Sequence, residues 1–269
     1  MKAKKSLGQN FLKSKKVLFN MVKASEVKTG GIVLEIGPGK GALTEKLLSV
    51  GAQVVAIEED TRLIPYLKEK FSVETKNGQL VIVEDDVLNF NFTSLLLTPN
   101  SYKVVANIPY YITGKLIRFF LENEYPPSSM TLLLQKEVAE RIVARPNSHV
   151  SRASDKKESL LSISVKIYGE PKYYGKVSKK YFSPQPKVDS AIISIKNIHS
   201  PFKNRGEHDL FFKIIRAGFT HKRKVLISNL SQIFPKEKIA GAFKKCDINE
   251  KSRAENLSVE KWRCLMNKY

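Results

Sequence analysis

Residues 32–41 read Ile32-Val33-Leu34-Glu35-Ile36-Gly37-Pro38-Gly39-Lys40-Gly41, and the fold is decided here. An apolar run of this length, rich in branched side chains, is expected of a strand buried on both faces. Glycines directly after a strand let the turn bring its backbone close to a ligand with no side chain in the way. The Gly-x-Gly-x-Gly spacing differs from the Gly-x-Gly-x-x-Gly of pyrophosphate-binding turns. A P-loop is excluded, because Gly39-Lys40 is followed by Gly41 instead of Ser or Thr.

Outward from this turn the pattern repeats. Short apolar runs occur at Val54–Ile57, Leu80–Val83, Val104–Ala106, Thr131–Leu134, Leu161–Ile167 and Ala191–Ile195, and helix-like stretches at Ala42–Val50, Arg62–Phe71, Gly114–Glu122 and Lys136–Ala144. Such alternation predicts an α/β fold with a mostly parallel, seven-stranded sheet covered on both sides. The last two runs have only Gly169-Glu170-Pro171 and Ser183-Pro184-Gln185-Pro186 between them, so they are expected to pair antiparallel at one edge. Residues 145–159 read as a polar loop. Asn197 to His208 has linker texture. Beyond Asp209 only helix spacing remains, in Leu210, Phe211, Ile214 and Ile215 and again in Leu226, Ile227, Leu230 and Ile233. The expected division is an α/β domain over 1–199 and a small all-α domain over 200–269.

The 269 residues carry a formal charge of +20, distributed as +6 over residues 1–16, +1 over 17–175 and +13 over 176–269. Two cationic ends around a nearly neutral middle point to an anionic partner, with nucleic acid the leading candidate. No run approaches the roughly 18 apolar residues of a membrane span, and the basic N-terminus is not followed by the apolar segment of a secretory signal. Cys246 and Cys264 form neither a disulfide framework nor a zinc pattern, and His149, His199, His208 and His221 show no ligand spacing. The expectation is a cytoplasmic, reduced, metal-free protein.

Further motifs sit at strand ends. Glu58 closes the second run, 21 residues past Gly37, where an acid can accept hydrogen bonds from both hydroxyls of a ribose. Glu59 and Asp60 are neighbouring candidates, Asp60 having more the character of a helix N-cap. The third run ends in Glu84-Asp85-Asp86, where a carboxylate can accept from an adenine amino group. The fourth delivers Asn107-Ile108-Pro109-Tyr110. The exocyclic amine of adenine is a poor nucleophile because its lone pair is delocalised into the ring. An amide oxygen at Asn107 with a nearby carbonyl can accept both N–H bonds and turn that lone pair toward an electrophile. Pro109 stiffens the backbone, and Tyr110 offers a face on which a base can stack. In Tyr181-Phe182-Ser183-Pro184-Gln185-Pro186-Lys187-Val188 two prolines hold an extended loop, and Phe182 is a candidate to clamp the other face of an unpaired base.

Together Gln9-Asn10-Phe11-Leu12, Glu35-Ile36-Gly37-Pro38-Gly39, Asn107-Ile108-Pro109-Tyr110 and Phe182-x-Pro184-x-Pro186-Lys187-Val188 resemble the ribosomal RNA adenine dimethyltransferases, which are Rossmann-like S-adenosylmethionine enzymes. The segments Arg216-Ala217-Gly218-Phe219-Thr220-His221-Lys222-Arg223-Lys224 and Arg253-Ala254-Glu255-Asn256-Leu257-Ser258 are similar to the small-subunit housekeeping branch. This resemblance implies N6-dimethylation of two adjacent adenines near the 3′ end of small-subunit (16S) ribosomal RNA, with a part in subunit biogenesis. It also implies a place for each site residue. Asn10 and Leu12 close over the cofactor, Gly37 and Gly39 approach its amino-acid portion, Glu58 its ribose and Asp86 its adenine, while Asn107 touches both cofactor and target. Lys4, Lys5, Lys187, Arg216, Lys222, Arg223 and Lys224 are the RNA-binding candidates, on a monomer that acts on ribosomal RNA or an assembling small subunit. The alternatives are the large-subunit (23S) branch that confers macrolide resistance, and a non-catalytic nucleic-acid-binding factor on the same fold. A nicotinamide dehydrogenase shares the strand–glycine–acid pattern but accounts for neither 107–110 nor the cationic tail.

Overall fold

A computed structural model describes residues 3–4, 7–92, 97–144 and 157–269. Lys5 and most of the polar loop, 145–156, therefore lie outside the described residues. The elements follow as β1 (Phe11–Leu12), α1 (Lys15–Ser25), β2 (Ile32–Ile36), α2 (Ala42–Ser49), β3 (Gln53–Glu58), α3 (Leu63–Lys70), α4 (Ser72–Lys76), β4 (Leu80–Glu84), β5 (Tyr102–Asn107), α5 (Thr113–Leu121), β6 (Ser129–Gln135), α6 (Lys136–Ile142), α7 (Leu160–Lys166), β7 (Glu170–Val177), β8 (Phe182–Ser183), β9 (Ser190–Lys196), α8 (Arg205–Gly218), α9 (Leu226–Leu230), α10 (Lys236–Lys245) and α11 (Val259–Met266).

Seven strands form one sheet in the order β4-β3-β2-β5-β6-β9-β7. The first five are mutually parallel, and β9 runs antiparallel to both β6 and β7. Strands β2, β5, β6 and β9 are nearly free of solvent, as continuous Val/Ile/Leu runs in a two-sided sheet should be. On β6 and β9 the register pairs buried Thr131 with Ser194, whose hydroxyls bond to each other at 3.2 Å. Helix α1 packs on the sheet over β5, β6 and β9. It begins where the Ser14 side chain accepts from the Val17 N–H, and it buries Val17, Leu18, Met21 and Val22. This N-terminal helix went unread in the sequence, although its buried positions keep helical spacing.

One strand differs from the sequence reading. The run Leu161–Ile167 is helical, as α7, because Ser159 and Ser162 form a reciprocal capping box. In addition, Ser164 Oγ donates to the Leu160 carbonyl at 2.7 Å. The seventh strand is instead β7, which contains Glu170 and Pro171 of the expected punctuation and also Gly175. As an edge strand it tolerates a proline, which has no N–H to give to a ladder. A register shift between Tyr173 and Gly175 accommodates the glycine.

Contacts divide the chain into two compact units, Met1–Ala139 with Glu170–His199, and Glu140–Gly169 with Ser200–Tyr269. One boundary lies at 199/200, and 140–169 group with the C-terminal helices. Within this second unit α8 buries Phe211, Phe212, Ile214 and Ile215. At Gly218 a Cβ would stand 2.4 Å from the Trp262 ring, so only glycine allows α8 and α11 to approach this closely. Glu158 and Lys166 form an ion pair, and Lys166 Nζ also donates to the Ala144 carbonyl. Cys246, following α10, is disulfide-bonded to Cys264 in α11, with Cα atoms 5.8 Å apart. This corrects the expectation of two reduced thiols: 18 residues separate them in sequence, and helix packing brings them together. No helix among the described residues is long and apolar enough to cross a membrane.

Candidate functional site

In the sheet order the chain turns from β2 toward β3 and β4 on one side and, on the other, to β5 and β6. Ligands in open α/β sheets bind at the carboxyl ends of the strands beside such a reversal. Here those ends are Ile36, followed by Gly37, and Asn107, held side by side by the β2–β5 pairing. A cavity of 660 Å³ opens at this point, within the size range of small-molecule sites.

The glycine turn forms its floor. Gly37 and Gly39 hold φ values of 64° and 60°, a left-handed conformation that side-chain-bearing residues seldom adopt. The Gly37 N–H donates to the Ile57 carbonyl at 2.9 Å, tying the turn to β3. A Cβ at Gly37 would meet nothing within 4 Å, whereas one at Gly39 would touch the Phe11 ring at 3.0 Å. The N-terminal arm therefore lies over the second glycine, and Lys40 Nζ sits 5.2 Å from the same ring. The third glycine serves packing: a Cβ at Gly41 would collide with Phe71 at 2.4 Å.

Acids line the next wall. Glu58, buried at the end of β3, accepts from the Gly39 N–H through Oε2 and from the Asp60 N–H through Oε1, both at 2.9 Å. Burial pushes its carboxyl up, and these two N–H groups oppose the shift. Two bonds leave further lone pairs on the same oxygens for ligand hydroxyls. Asp60 Oδ1 accepts from the Arg62 N–H at 3.3 Å, a contact of the capping kind expected of it. Its carboxylate takes the Arg62 guanidinium at 2.8 and 2.6 Å and the Gln9 side-chain amide at 2.8 Å, and the Arg62 contact holds it well below the usual range. Asp86 lines the cavity beside Asp85 and Glu59, its side chain accepting from the Leu88 N–H and from Asn89 Nδ2. Beneath the turn Glu35 is buried completely, and desolvation raises its pKa to about 8. Glu35, which also lines the cavity, is thus protonated at neutral pH.

At the end of β5, Asn107 donates from Nδ2 to the Asn10 carbonyl at 3.1 Å. Asn10 in turn donates from Nδ2 to the Gly8 carbonyl at 3.0 Å. Tyr110 lines the cavity, its hydroxyl 2.7 Å from Ser190 Oγ. Burial pushes that phenol up, so it remains protonated. The arm is anchored by strand pairing, Phe11 opposite Ser183 and Leu12 opposite Phe182. The structure thus gathers Asn10, Leu12, Gly37, Gly39, Glu58, Asp86, Asn107 and Tyr110 around one cavity.

Phe182 stands apart from this group. It is 4% exposed, packs in the hydrophobic core with Leu12 and Val17, and is not among the cavity's lining residues. A role against a base would require this side chain to leave the core. Its neighbour Ser183 lines the cavity instead. Lys4, Lys187, Arg216, Lys222, Arg223 and Lys224 are all exposed, and Lys5 lies outside the described residues. In the second unit Asn229, fully buried, donates to the carbonyls of Gly218 at 2.6 Å and His221 at 3.2 Å. It holds the turn on which the basic residues 222–224 stand. Sequence reasoning missed Gln9, Phe11 and Glu35 around the cavity and Asn229 beneath the turn at 222–224. Gln9 and Phe11 were visible only as members of the Gln9-Asn10-Phe11-Leu12 motif.

The residues fit S-adenosylmethionine. Open space at Gly37 admits an amino-acid end against exposed backbone, Glu58 has the acceptors a ribose needs, Asp86 has one for an adenine amine, and the acidic wall suits a cationic sulfonium. Among the described residues no group of His, Cys, Asp and Glu is arranged to hold a metal ion.

Comparison with known proteins agrees with this geometry. The pattern that defines the ribosomal RNA adenine dimethylase family matches residues 1–269. The chain is 37% identical over 262 residues to a ribosomal RNA small subunit methyltransferase A from Clostridium botulinum, covering 97% of this chain and 92% of that protein. It is 39% identical over 271 residues to the protein of the same name from Dehalococcoides mccartyi, covering 100% and 89%. Among solved structures it is similar to a dimethyladenosine transferase from Plasmodium falciparum, with a TM-score of 0.77, 28% identity and 95% of each chain covered. It is also similar to the 23S rRNA methyltransferase ErmE, with a TM-score of 0.75, 25% identity and coverage of 96% and 99%.

Proposed function

The chain belongs to the ribosomal RNA adenine dimethylase family, and from that premise we propose that it methylates adenine N6 in small-subunit (16S) ribosomal RNA with S-adenosylmethionine as donor. Two methyl groups are placed on each of two adjacent adenines near the 3′ end. The observation that carries the reading is the tie between Asn107 and the arm. The amide nitrogen is committed to the Asn10 carbonyl, which leaves Oδ1 to accept a proton of the target amine.

S-adenosylmethionine supplies a methyl group already activated on a sulfonium, with a neutral thioether as leaving group. The protein's share is orientation. Gly37 and Gly39 present backbone at the amino-acid end, Glu58 holds the ribose and Asp86 the adenine, while Leu12 and Asn10 wall the site from the arm. Asn107 Oδ1 turns the amine's lone pair into line, and Tyr110 stacks on the base. The phenol of Tyr110, kept protonated by burial, is not the base. The methylated amine is acidic enough to pass its proton to water. Phe182 acts here by holding Leu12, its register partner, and thereby the arm.

We place the reaction in the cytoplasm, carried out by a monomer on ribosomal RNA or on an assembling small subunit, and contributing to subunit biogenesis. Lys4, Lys5, Lys187, Arg216 and Lys222–Lys224 grip the phosphates. A large-subunit substrate is the second reading, favoured by the likeness to ErmE. Offering isolated small and large subunits with labelled methyl donor decides between them. Label appearing as N6,N6-dimethyladenine in small-subunit RNA is expected. Label in large-subunit RNA alone overturns the proposal, and no label on either points to a non-catalytic binding factor.

A further inference from the structure

Helix α1 presents a face that the methyl-transfer chemistry does not use. Lys15, Lys16, Phe19, Asn20 and Lys23 are all exposed, with Phe19 62% exposed. Lys15, Phe19 and Lys23 stand at i, i+4 and i+8, one stripe about 12 Å long. The helix contains no acid. Elsewhere many surface lysines are paired, as Lys70 is with Glu45, Lys176 with Asp189 and Lys196 with Glu26. Those on this stripe have no acidic partner within the helix. An exposed phenyl ring between unopposed cations suits a chain of alternating phosphates and bases.

The start of the helix lies beside the cavity. Lys13, two residues before the helix, lines the cavity, and its backbone N–H donates to the Tyr181 carbonyl at 2.8 Å. Tyr181 is 39% exposed, with Lys180 Nζ 5.8 Å from its ring. A second aromatic face and further cations therefore stand beside the start of the helix, all within the same compact unit.

We propose that the exposed face of α1, with Tyr181 at its cavity end, is a track for the single-stranded RNA flanking the target adenine. Lysines 15, 16 and 23 bind its phosphates, and Phe19 stacks on one of its bases. The inference rests on the ribosomal RNA reading above and adds a contact independent of the basic turn at 222–224.

The test uses the full-length protein and two RNAs that share the target adenine, one trimmed close to it and one keeping about eight more unpaired nucleotides. Wild type should bind the flanked RNA about tenfold tighter than the trimmed one. Phe19→Ala should abolish most of that difference and Phe19→Tyr should restore it, while binding of the trimmed RNA and of S-adenosylmethionine stays unchanged. The triple variant Lys15→Ala, Lys16→Ala, Lys23→Ala should lower the salt slope for the flanked RNA by about 2. If both variants bind the flanked RNA as wild type does, the track is refuted while methylation by wild type still stands. The track is equally refuted if Phe19→Ala weakens trimmed and flanked RNA alike. Failure of wild type to methylate either RNA in a small-subunit context would instead count against the function itself.

Discussion

The proposed function gives the glycine turn of the first unit and the basic turn of the second opposite means of recognising their ligands. Around Gly37 and Gly39 the working groups are backbone N–H, a buried carboxylate and one amide, each fixed by bonds of about 3 Å to a neighbouring strand or to the arm. Around 222–224 the working groups are long exposed cations, fixed only at their base, where buried Asn229 holds the carbonyls of Gly218 and His221. The first arrangement reads shape and hydrogen-bond pattern, as a small ligand with one correct pose requires. The second reads charge density, which suits a polyanion that must be gripped, aligned and released. Selectivity for the methyl donor and affinity for RNA are therefore separable, and substitutions should pull them apart.

The largest expected effect is at Asn107. Asn107→Ala should lower the single-turnover rate by on the order of a hundredfold or more, as loss of an aligned polar group in an active site does, with RNA affinity close to wild type by filter binding. Near-normal turnover would end the division of labour. Next, replacing Lys222, Arg223 and Lys224 together by Ala should weaken RNA binding about tenfold or more at physiological salt and lower the salt slope by up to about 3, while calorimetry finds S-adenosylmethionine binding unchanged. Asn229→Ala should cause a smaller loss of RNA affinity, about threefold, by loosening the same turn with every cation still present. A loss as large as that of the triple variant would mean that geometry matters in the basic turn as much as it does at the glycines.

The last prediction concerns pH. Burial pushes the Glu35 carboxyl up to about 8 from an ordinary value of 4.5. The unfolded state gives up this proton first, so the stability that Glu35 contributes is complete below about pH 4.5 and declines as pH rises through 8. Glu35→Gln should flatten that decline in thermal melts between these limits. Its turnover at pH 7 should stay near wild type, since Glu35 is protonated there in any case. An unchanged pH profile would mean that the ionised acid is solvated within the fold.

The cavity end of the sheet was legible in the sequence because each of its parts closes a strand. Gly37, Glu58, Asp86 and Asn107 follow apolar runs whose burial sets their direction, and one parallel sheet then brings all four ends together. Where several elements had to agree, reading was harder. Ile163, Val165 and Ile167 alternate with Ser164 and Lys166 and so mimic a strand, yet the Ser159–Ser162 caps make the segment a helix. Pro171 and Gly175 look like breakers, yet they sit in a strand because it lies at the sheet's edge. Nothing local distinguishes a core Phe182 from a base-facing one, since its surroundings come from Leu12 and Val17 far earlier in the chain. The disulfide between Cys246 and Cys264 was likewise set by helix packing rather than by any cysteine pattern.

The pairing of β1 with β8 also sets an order of events during synthesis. Phe11 must wait for Ser183, so the closing loop spans about 170 residues, among the longest-range contacts in the chain. While the protein is being made, the parallel strands and the glycine turn can assemble from the N-terminal side, but the arm has nothing to pair with until β8 leaves the ribosome. The wall formed by Asn10 and Leu12 is therefore fastened only after about two thirds of the chain has been made. A chain that stalls before residue 183 would hold most of the sheet and still lack a closed place for its methyl donor.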